Sequence, residues 1–385
     1  MPTIPIARPT MGREEIDAAA RCLTSGWLTQ GPEVAAFERE FAAAVGAPHA
    51  CAVANCTAAL HLALLVAGVG DGDEVVTASH SFIATANAVR YLGAVPVFAD
   101  VEPGGYNLDP ASIEAAIGPR TRAILCVHQI GMPCDIARIV EIGRRHGIPV
   151  VEDAACAIGS EILWDGAWQR IGRPHGDIAC FSFHPRKVIT TGDGGMITTA
   201  HADWDRRLRL LRQHGMSVSD TVRHGSSRVI QERYEIVGYN YRLTDLQAAV
   251  GRAQLARLDA IVARRRALAA RYQAAFAGMS GMMPPSEPWW ARSNWQSFPV
   301  WLPDAALQPV VMQELLDAGI ATRRGVMCAH RQVAYPRGSW HAPSGLRHSE
   351  TAEDHIVLMP LYHEMTDAEQ ETVIAAMSAA VGTPV

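Results

Sequence analysis

Most lysines lie on solvated faces, and Lys187 does not read as one of them. It sits in the run D-I-A-C-F-S-F-H-P-R-K-V-I-T-T-G-D-G-G (Asp177–Gly195), between an apolar strand that delivers Ser182 and the glycines Gly192, Gly194 and Gly195, which lead to a second apolar strand. Pro185 opens the turn. Burial disfavours the charged ammonium and lowers a lysine pKa, and a depressed pKa is what an amine needs to form a Schiff base. The expectation is a desolvated, carbonyl-reactive Lys187.

Upstream, P-V-V-E-D-A-A puts Asp153 at the carboxyl end of another apolar strand, where open α/β sheets bind ligands. A lone carboxylate there needs a cationic partner. A protonated pyridine nitrogen is one; the alternatives are a helix cap or a metal ligand, and no His/Asp cluster supports a metal. A Schiff-base lysine with an acidic partner for a pyridinium nitrogen is how proteins hold pyridoxal phosphate. Two weaker motifs fit the same cofactor. In N-C-T-A-A-L-H-L-A-L a helix beginning at Thr57 follows a strand, and a helix N-terminus offers unpaired amides to a phosphate. An ordinary cap threonine is the plainer reading of that motif taken alone. In S-F-I-A-T-A-N, Phe82 could lie flat on a planar ring, or simply fill a core.

These residues need elements to carry them. Strands are expected near Cys51–Asn55, Glu74–Ala78, Val95–Asp100, Ala123–His128, Pro149–Asp153, Ile178–Phe183 and Met196–Thr199. Several are nearly continuous apolar runs, as strands covered on both faces are. Helical patterns lie between them at Glu14–Leu23, Pro32–Val45, Thr57–Val66, Pro110–Ala116 and Ile136–His146. The alternation predicts an α/β fold with a mainly parallel seven-stranded sheet covered by helices. One long helical stretch follows over Leu243–Phe276, then a Pro- and Trp-rich segment, then a mixed α+β pattern with a closing helix at Thr366–Ala380. The division expected is a large cofactor-binding domain over residues 1–260 and a smaller α+β domain over 261–385.

Composition narrows the function. At 385 residues the chain can bury more than one core, and a net charge of -5 with no basic stripe argues against nucleic acid or a membrane surface as partner. The start, MPTIPIARPTMG, lacks the charged and apolar regions of a secretory signal. The longest apolar run, about Ala58–Val69, is too short to span a bilayer. Eight cysteines without C-x-x-C pairs suit a reduced chain rather than a disulfide framework, so a cytoplasmic protein is expected.

Together these motifs resemble the DegT group of fold type I, pyridoxal phosphate-dependent sugar aminotransferases. The resemblance spans nearly the whole chain and includes S-G-W-L-T-Q-G-P (Ser25–Pro32), G-D-G-D-E-V-V (Gly70–Val76), V-H-Q-I-G-M-P-C-D (Val127–Asp135) and G-Y-N-Y-R-L-T-D-L-Q-A-A (Gly238–Ala249). It implies that Lys187 bonds the cofactor and shuttles a proton, that Asp153 pairs with the ring nitrogen, and that Phe82 stacks on the ring. The amides of Cys56 and Thr57 and the hydroxyl of Ser182 would hold the phosphate. Asn240 would reach the phosphate of a neighbouring subunit, making a homodimer part of the site, and Thr29 and Arg242 would lie near substrate.

The chain departs from the family pattern at three places. Cys156 stands where relatives carry Gln or His to bond the ring oxygen. The phosphate turn reads Asn-Cys-Thr rather than Ser-Gly-Thr. The segment written His-Tyr-Pro in relatives reads V-M-C-A-H-R-Q (Val326–Gln332), with His330 and Arg331 as candidate substrate contacts or plain surface charge.

The implied reaction is ping-pong transfer of an amino group from L-glutamate, through pyridoxamine phosphate, to a keto sugar carried on a nucleotide. A cyclitol ketone as acceptor, or glutamine as donor, keeps the same chemistry and stays open. A dehydratase of the same fold would lack Lys187. A cofactor-binding sensor would need a fused binding module. A nicotinamide dehydrogenase would show G-x-G-x-x-G after the first strand, which is absent here.

Overall fold

The structure, a computed structural model, describes residues 4–279 and 282–382. Its centre is the expected seven-stranded sheet, formed by β1 (His49–Val53), β2 (Glu74–Ala78), β3 (Val95–Ala99), β4 (Thr121–Val127), β5 (Val150–Asp153), β6 (Ile178–Ser182) and β7 (Gly195–Thr199). The strand order is β1-β7-β6-β5-β4-β2-β3. Neighbours from β6 to β3 run parallel, whereas β7 runs antiparallel to both β6 and β1. Strands β2, β6 and β7 are buried along their whole length, which is why they read as unbroken apolar or small-residue runs instead of alternating ones.

Helices cover both faces. Helix α1 (Arg13–Ser25) and α2 (Pro32–Val45) precede the sheet, and α3 (Cys56–Val66) follows β1. Pro32 opens α2, where a missing N–H costs nothing, and Gly46 closes it in the left-handed conformation with φ 76°. Helix α3 begins one residue earlier than expected, because Asn55 caps it by accepting from the Ala58 amide at 2.9 Å. The plain reading of Thr57 as the cap is therefore wrong.

The expected single helix over Leu243–Phe276 is two, Asp245–Ala256 and Leu258–Phe276, broken at Arg257 (φ -103°, ψ 3°). The cause is non-local. The N-terminal segment docks at the break, where Gln254 Nε2 donates to Thr10 O and to Glu15 Oε1, each at 2.8 Å, and Arg257 pairs with the same Glu15 carboxylate.

The helix Leu258–Phe276 places Leu258, Ile261 and Val262 in the core beneath the large sheet and Leu268, Tyr272 and Phe276 in a second core. That second core packs around a three-stranded antiparallel sheet, ordered Phe298–Trp301, Ile356–Met359, Arg323–Arg324, and the closing helix Asp367–Gly382. Ile4 joins this second core and bridges to Ile320. A small sheet of Glu161–Trp164, Ala167–Arg170 and Ala291–Arg292 has no counterpart in the sequence expectations.

All eight cysteines are free, and seven are buried; Cys156 is the partly exposed one. Among the described residues no helix is long and apolar enough to cross a membrane.

Candidate active site

The carboxyl ends of β5 and β6 and the amino end of α3 open into one cleft of about 820 Å³. Seven of the sequence candidates line it: Cys56, Thr57, Phe82, Asp153, Cys156, Ser182 and Lys187. Asp153 ends β5, almost fully buried. It accepts the Thr85 hydroxyl at 2.8 Å and the Ala155 amide at 3.1 Å. Burial lifts its pKa above the ordinary aspartate value, and these two donors pull the other way without cancelling it. A cation placed against this carboxylate would recover that burial penalty.

Lys187 follows a turn in which its own amide donates to His184 O at 2.8 Å. Its Nζ donates to Cys156 Sγ at 3.0 Å. The expected lowering of the lysine pKa is not what this site produces. Burial does act downward, but Cys156, Cys56 and Asp153 together more than offset it and hold the amine above the ordinary lysine range. Desolvation alone would lower the pKa; the Cys156 thiol that faces the amine reverses the sign.

The phosphate end rests on close packing. In α3 the first amides have no carbonyl a turn earlier to bond, and the Asn55 side chain takes only Ala58, so Cys56 and Thr57 keep theirs for a ligand. Gly195 lets β7 approach this turn; a Cβ there would sit 2.6 Å from the Asn55 carbonyl carbon and 2.9 Å from Cys56 N. Ser182, at the end of β6, lines the same wall. Phe82 is 58% exposed at the lip of the cleft, free to cover a flat ring. A buried acid, an amine, a pair of unpaired amides and an aromatic face fit pyridoxal phosphate as a donor set.

The model of the DegT/DnrJ/EryC1/StrS aminotransferase family matches residues 9–378. The chain belongs to this family. The aminotransferase is 38% identical over 379 residues, 97% of its length and 96% of the relative's, to SpsC, a spore coat polysaccharide biosynthesis protein of Bacillus subtilis (strain 168). It superposes on DesV of S. venezuelae with a TM-score of 0.88 at 34% identity, covering 100% of both chains. It also superposes on Spr1654 of Streptococcus pneumoniae in its PLP form, with a TM-score of 0.90 at 25% identity over 98% of each chain. The fold is that of the fold type I aminotransferases, and pyridoxal phosphate is the enzyme's cofactor.

Five candidates lie outside the cleft lining. Thr29 and Asn240 are exposed, and Arg242 donates to Asn240 Oδ1 at 3.5 Å. His330 is engaged elsewhere, between Ser79 Oγ at 2.7 Å and Glu350 Oε1 at 3.1 Å. Arg331 pairs with Asp354 at 2.6 Å and Glu353 at 3.2 Å. Within the segment that departs from the family pattern, Val326 and Met327 face the cleft instead, just after Arg323, Arg324 and Gly325.

Residues not singled out in the sequence also stand at the site. Thr85, the second residue of the helix Ala84–Arg90, donates its hydroxyl to Asp153. His128 lines the cleft and makes a fully buried pair with Glu152 at 2.8 Å, while its Nδ1 accepts the Cys134 amide at 3.2 Å. Arg186, beside Lys187, and Arg323 complete the cleft wall. Among the described residues no group of three or more His, Cys, Asp or Glu side chains could hold a metal ion.

Proposed function

We propose that the enzyme moves an amino group from L-glutamate to a keto sugar carried on a nucleotide. The observation that carries the reading is the convergence of Lys187, Asp153 and the free amides of α3 on one cleft, whose 820 Å³ leaves room for a substrate beside the cofactor. The kinship with a polysaccharide biosynthesis protein supports a sugar as acceptor.

When bound, the cofactor supplies a carbonyl carbon to carry the amino group and a ring to take up charge. The protein's part is positioning and proton traffic. Lys187 Nζ would hold the cofactor and, as a free amine, would carry a proton to and from the substrate carbon. Asp153 would pair with the ring nitrogen. Phe82 would cover the ring, and the Cys56 and Thr57 amides with the Ser182 hydroxyl would hold the phosphate. Cys156 touches Lys187 from the side where relatives carry a stronger hydrogen-bonding group.

The reading extends to a homodimer in which the exposed Asn240 reaches a second subunit's phosphate, with Thr29 and Arg242 near substrate. His330 and Arg331 act one step back, anchoring the segment that presents Val326 and Met327. The reading also divides the chain into two domains near residue 260, a division that the two separate cores support. Eight free cysteines suit a reducing, cytoplasmic compartment.

The test is spectroscopic. Purified enzyme in its pyridoxal form should be bleached by L-glutamate, and the resulting amine form should regain its colour with one member of a panel of nucleotide-linked keto sugars and cyclitol ketones. Lys187→Ala should do neither. Recovery of colour with a cyclitol ketone alone would replace the sugar reading; turnover by Lys187→Ala would end it.

A further inference from the structure

Two guanidinium groups of the cleft have no work within the protein. Arg186 stands on the turn before Lys187, beside the large sheet. Arg323 stands on the edge strand Arg323–Arg324 of the second sheet. Both line the cleft and both are exposed. Among the described residues neither side chain meets a carboxylate, whereas others such as Arg120, Arg212, Arg257 and Arg331 do. The contrast is sharpest next door, where Arg324 Nη2 reaches Glu353 Oε1 at 3.2 Å.

The two guanidinium groups line the same cleft from opposite elements. Burial and the nearby Arg323 both push Arg186 below the ordinary arginine pKa. Burial, Arg186 and Lys187 together push the His184 pKa down, so the imidazole beside them is held neutral. Asp153 and Asp193 also line the cleft, but among the described residues neither forms an ion pair with Arg186 or Arg323, so both guanidinium forks stay open to a ligand.

We propose that Arg186 and Arg323 form an oxyanion subsite that both substrates use in turn. A carboxylate of the amino donor occupies it in the first half-reaction, and a phosphate oxygen of the acceptor in the second. The inference rests on the functional reading above, which gives both substrates an anionic part. A ping-pong enzyme has one cleft for two partners, and a guanidinium fork bonds carboxylate and phosphate oxygens with the same geometry. One guanidinium comes from each sheet, so an anion held between them also spans the two cores.

The test uses holoenzyme with Arg186→Ala, Arg323→Ala and Arg323→Lys. An unchanged cofactor spectrum and melting curve would show that each variant folds. The first arm needs no substrate and measures binding of inorganic diphosphate to holoenzyme by calorimetry. Each alanine variant should bind it more weakly by on the order of 10- to 100-fold, the loss expected for one charge-assisted contact. Arg323→Lys should recover only part, having the charge without the fork.

The second arm follows bleaching of the cofactor by L-glutamate. The half-saturating concentration should rise by a similar factor while the limiting rate stays within about threefold, because binding is lost and not proton transfer. Unchanged diphosphate binding in both alanine variants would overturn the proposal, as would a fall in limiting rate with no change in half-saturation. If only one of the two anions responded, shared use would be refuted. The functional reading fails separately, when no nucleotide-linked keto sugar restores colour, and the diphosphate arm would still decide the subsite.

Discussion

Thr85→Val changes almost nothing in shape and removes one hydrogen bond. Thr85 is 1% exposed and Asp153 5%, so water cannot replace the lost hydroxyl easily. Ser81 Oγ lies 2.7 Å from Thr85 Oγ1, which in turn donates to Asp153 Oδ2 at 2.8 Å. The chain therefore feeds a proton donor to the carboxylate from a fixed direction. A hydrogen bond to a charged group contributes about 1.5–3 kcal/mol, and the Ala155 amide remains as the second donor.

Burial is the leading influence on Asp153 and raises its pKa, while Thr85 is the strongest influence in the opposite direction. Valine at this position therefore raises the pKa further. The sign for cofactor binding follows. The ring nitrogen is held as a cation only by an ionised Asp153, so affinity is lost as pH falls through the Asp153 pKa. In Thr85→Val that loss begins at a higher pH. Titrating apoenzyme with pyridoxal phosphate at successively lower pH, parent beside variant, should reveal the shift. Where the carboxyl has become neutral, affinity should fall on the order of 10- to 100-fold, the equivalent of the lost hydrogen bond. Equal affinity and equal pH dependence in a variant with an unchanged melting curve would refute the role given to Asp153 and its hydroxyl.

Two further substitutions probe different links. Cys156→Ala removes the thiol that holds Lys187 up, leaving burial less opposed, so the lysine pKa falls and apoenzyme should take up pyridoxal phosphate faster near neutral pH; an uptake rate with the same pH dependence as the parent would contradict this. Arg212→Met breaks a buried network in which Arg212 pairs with Glu38 and donates to Ala52 O at 2.7 Å, while Glu38 also takes Arg209 at 2.7 Å. Leaving one partner of a buried pair short costs about 3–5 kcal/mol, reduced here because Arg209 stays, and the measure is the denaturant midpoint at neutral pH. Glu38 is held below the ordinary glutamate pKa because Arg212 and Arg209 outweigh its burial. Its contribution is therefore present above the unfolded value and fades as pH falls through the folded one, so parent and variant should converge in acid.

How much of this was legible depended on how far apart the cooperating residues lie. The strands could be read because each buries both faces, and that requirement is written locally as an apolar run. Asp153 could be picked out because it ends such a run, and Lys187 because it sits in the turn between two of them. The break at Arg257 could not be, since it is made by Thr10 and Glu15 arriving from the other end of the chain. Nor could the state of the Lys187 amine, which Cys156 decides across a gap that sequence spacing does not show.

The arginines make the same point about charge. Arg331 and Arg323 belong to one short segment and look equally available in the sequence. The helix Arg347–His355 supplies Glu350, Glu353 and Asp354 to Arg331, and Glu353 also to Arg324, but none of them to Arg323. A guanidinium already neutralised by carboxylates has little left to offer a ligand, because taking it would mean breaking pairs that the fold has formed. An unclaimed one at a cleft mouth keeps its full donor fork. Where the acidic helix lies thus decides which guanidinium of the segment is paired: it engages Arg331 and leaves Arg323 facing the cleft beside Val326 and Met327.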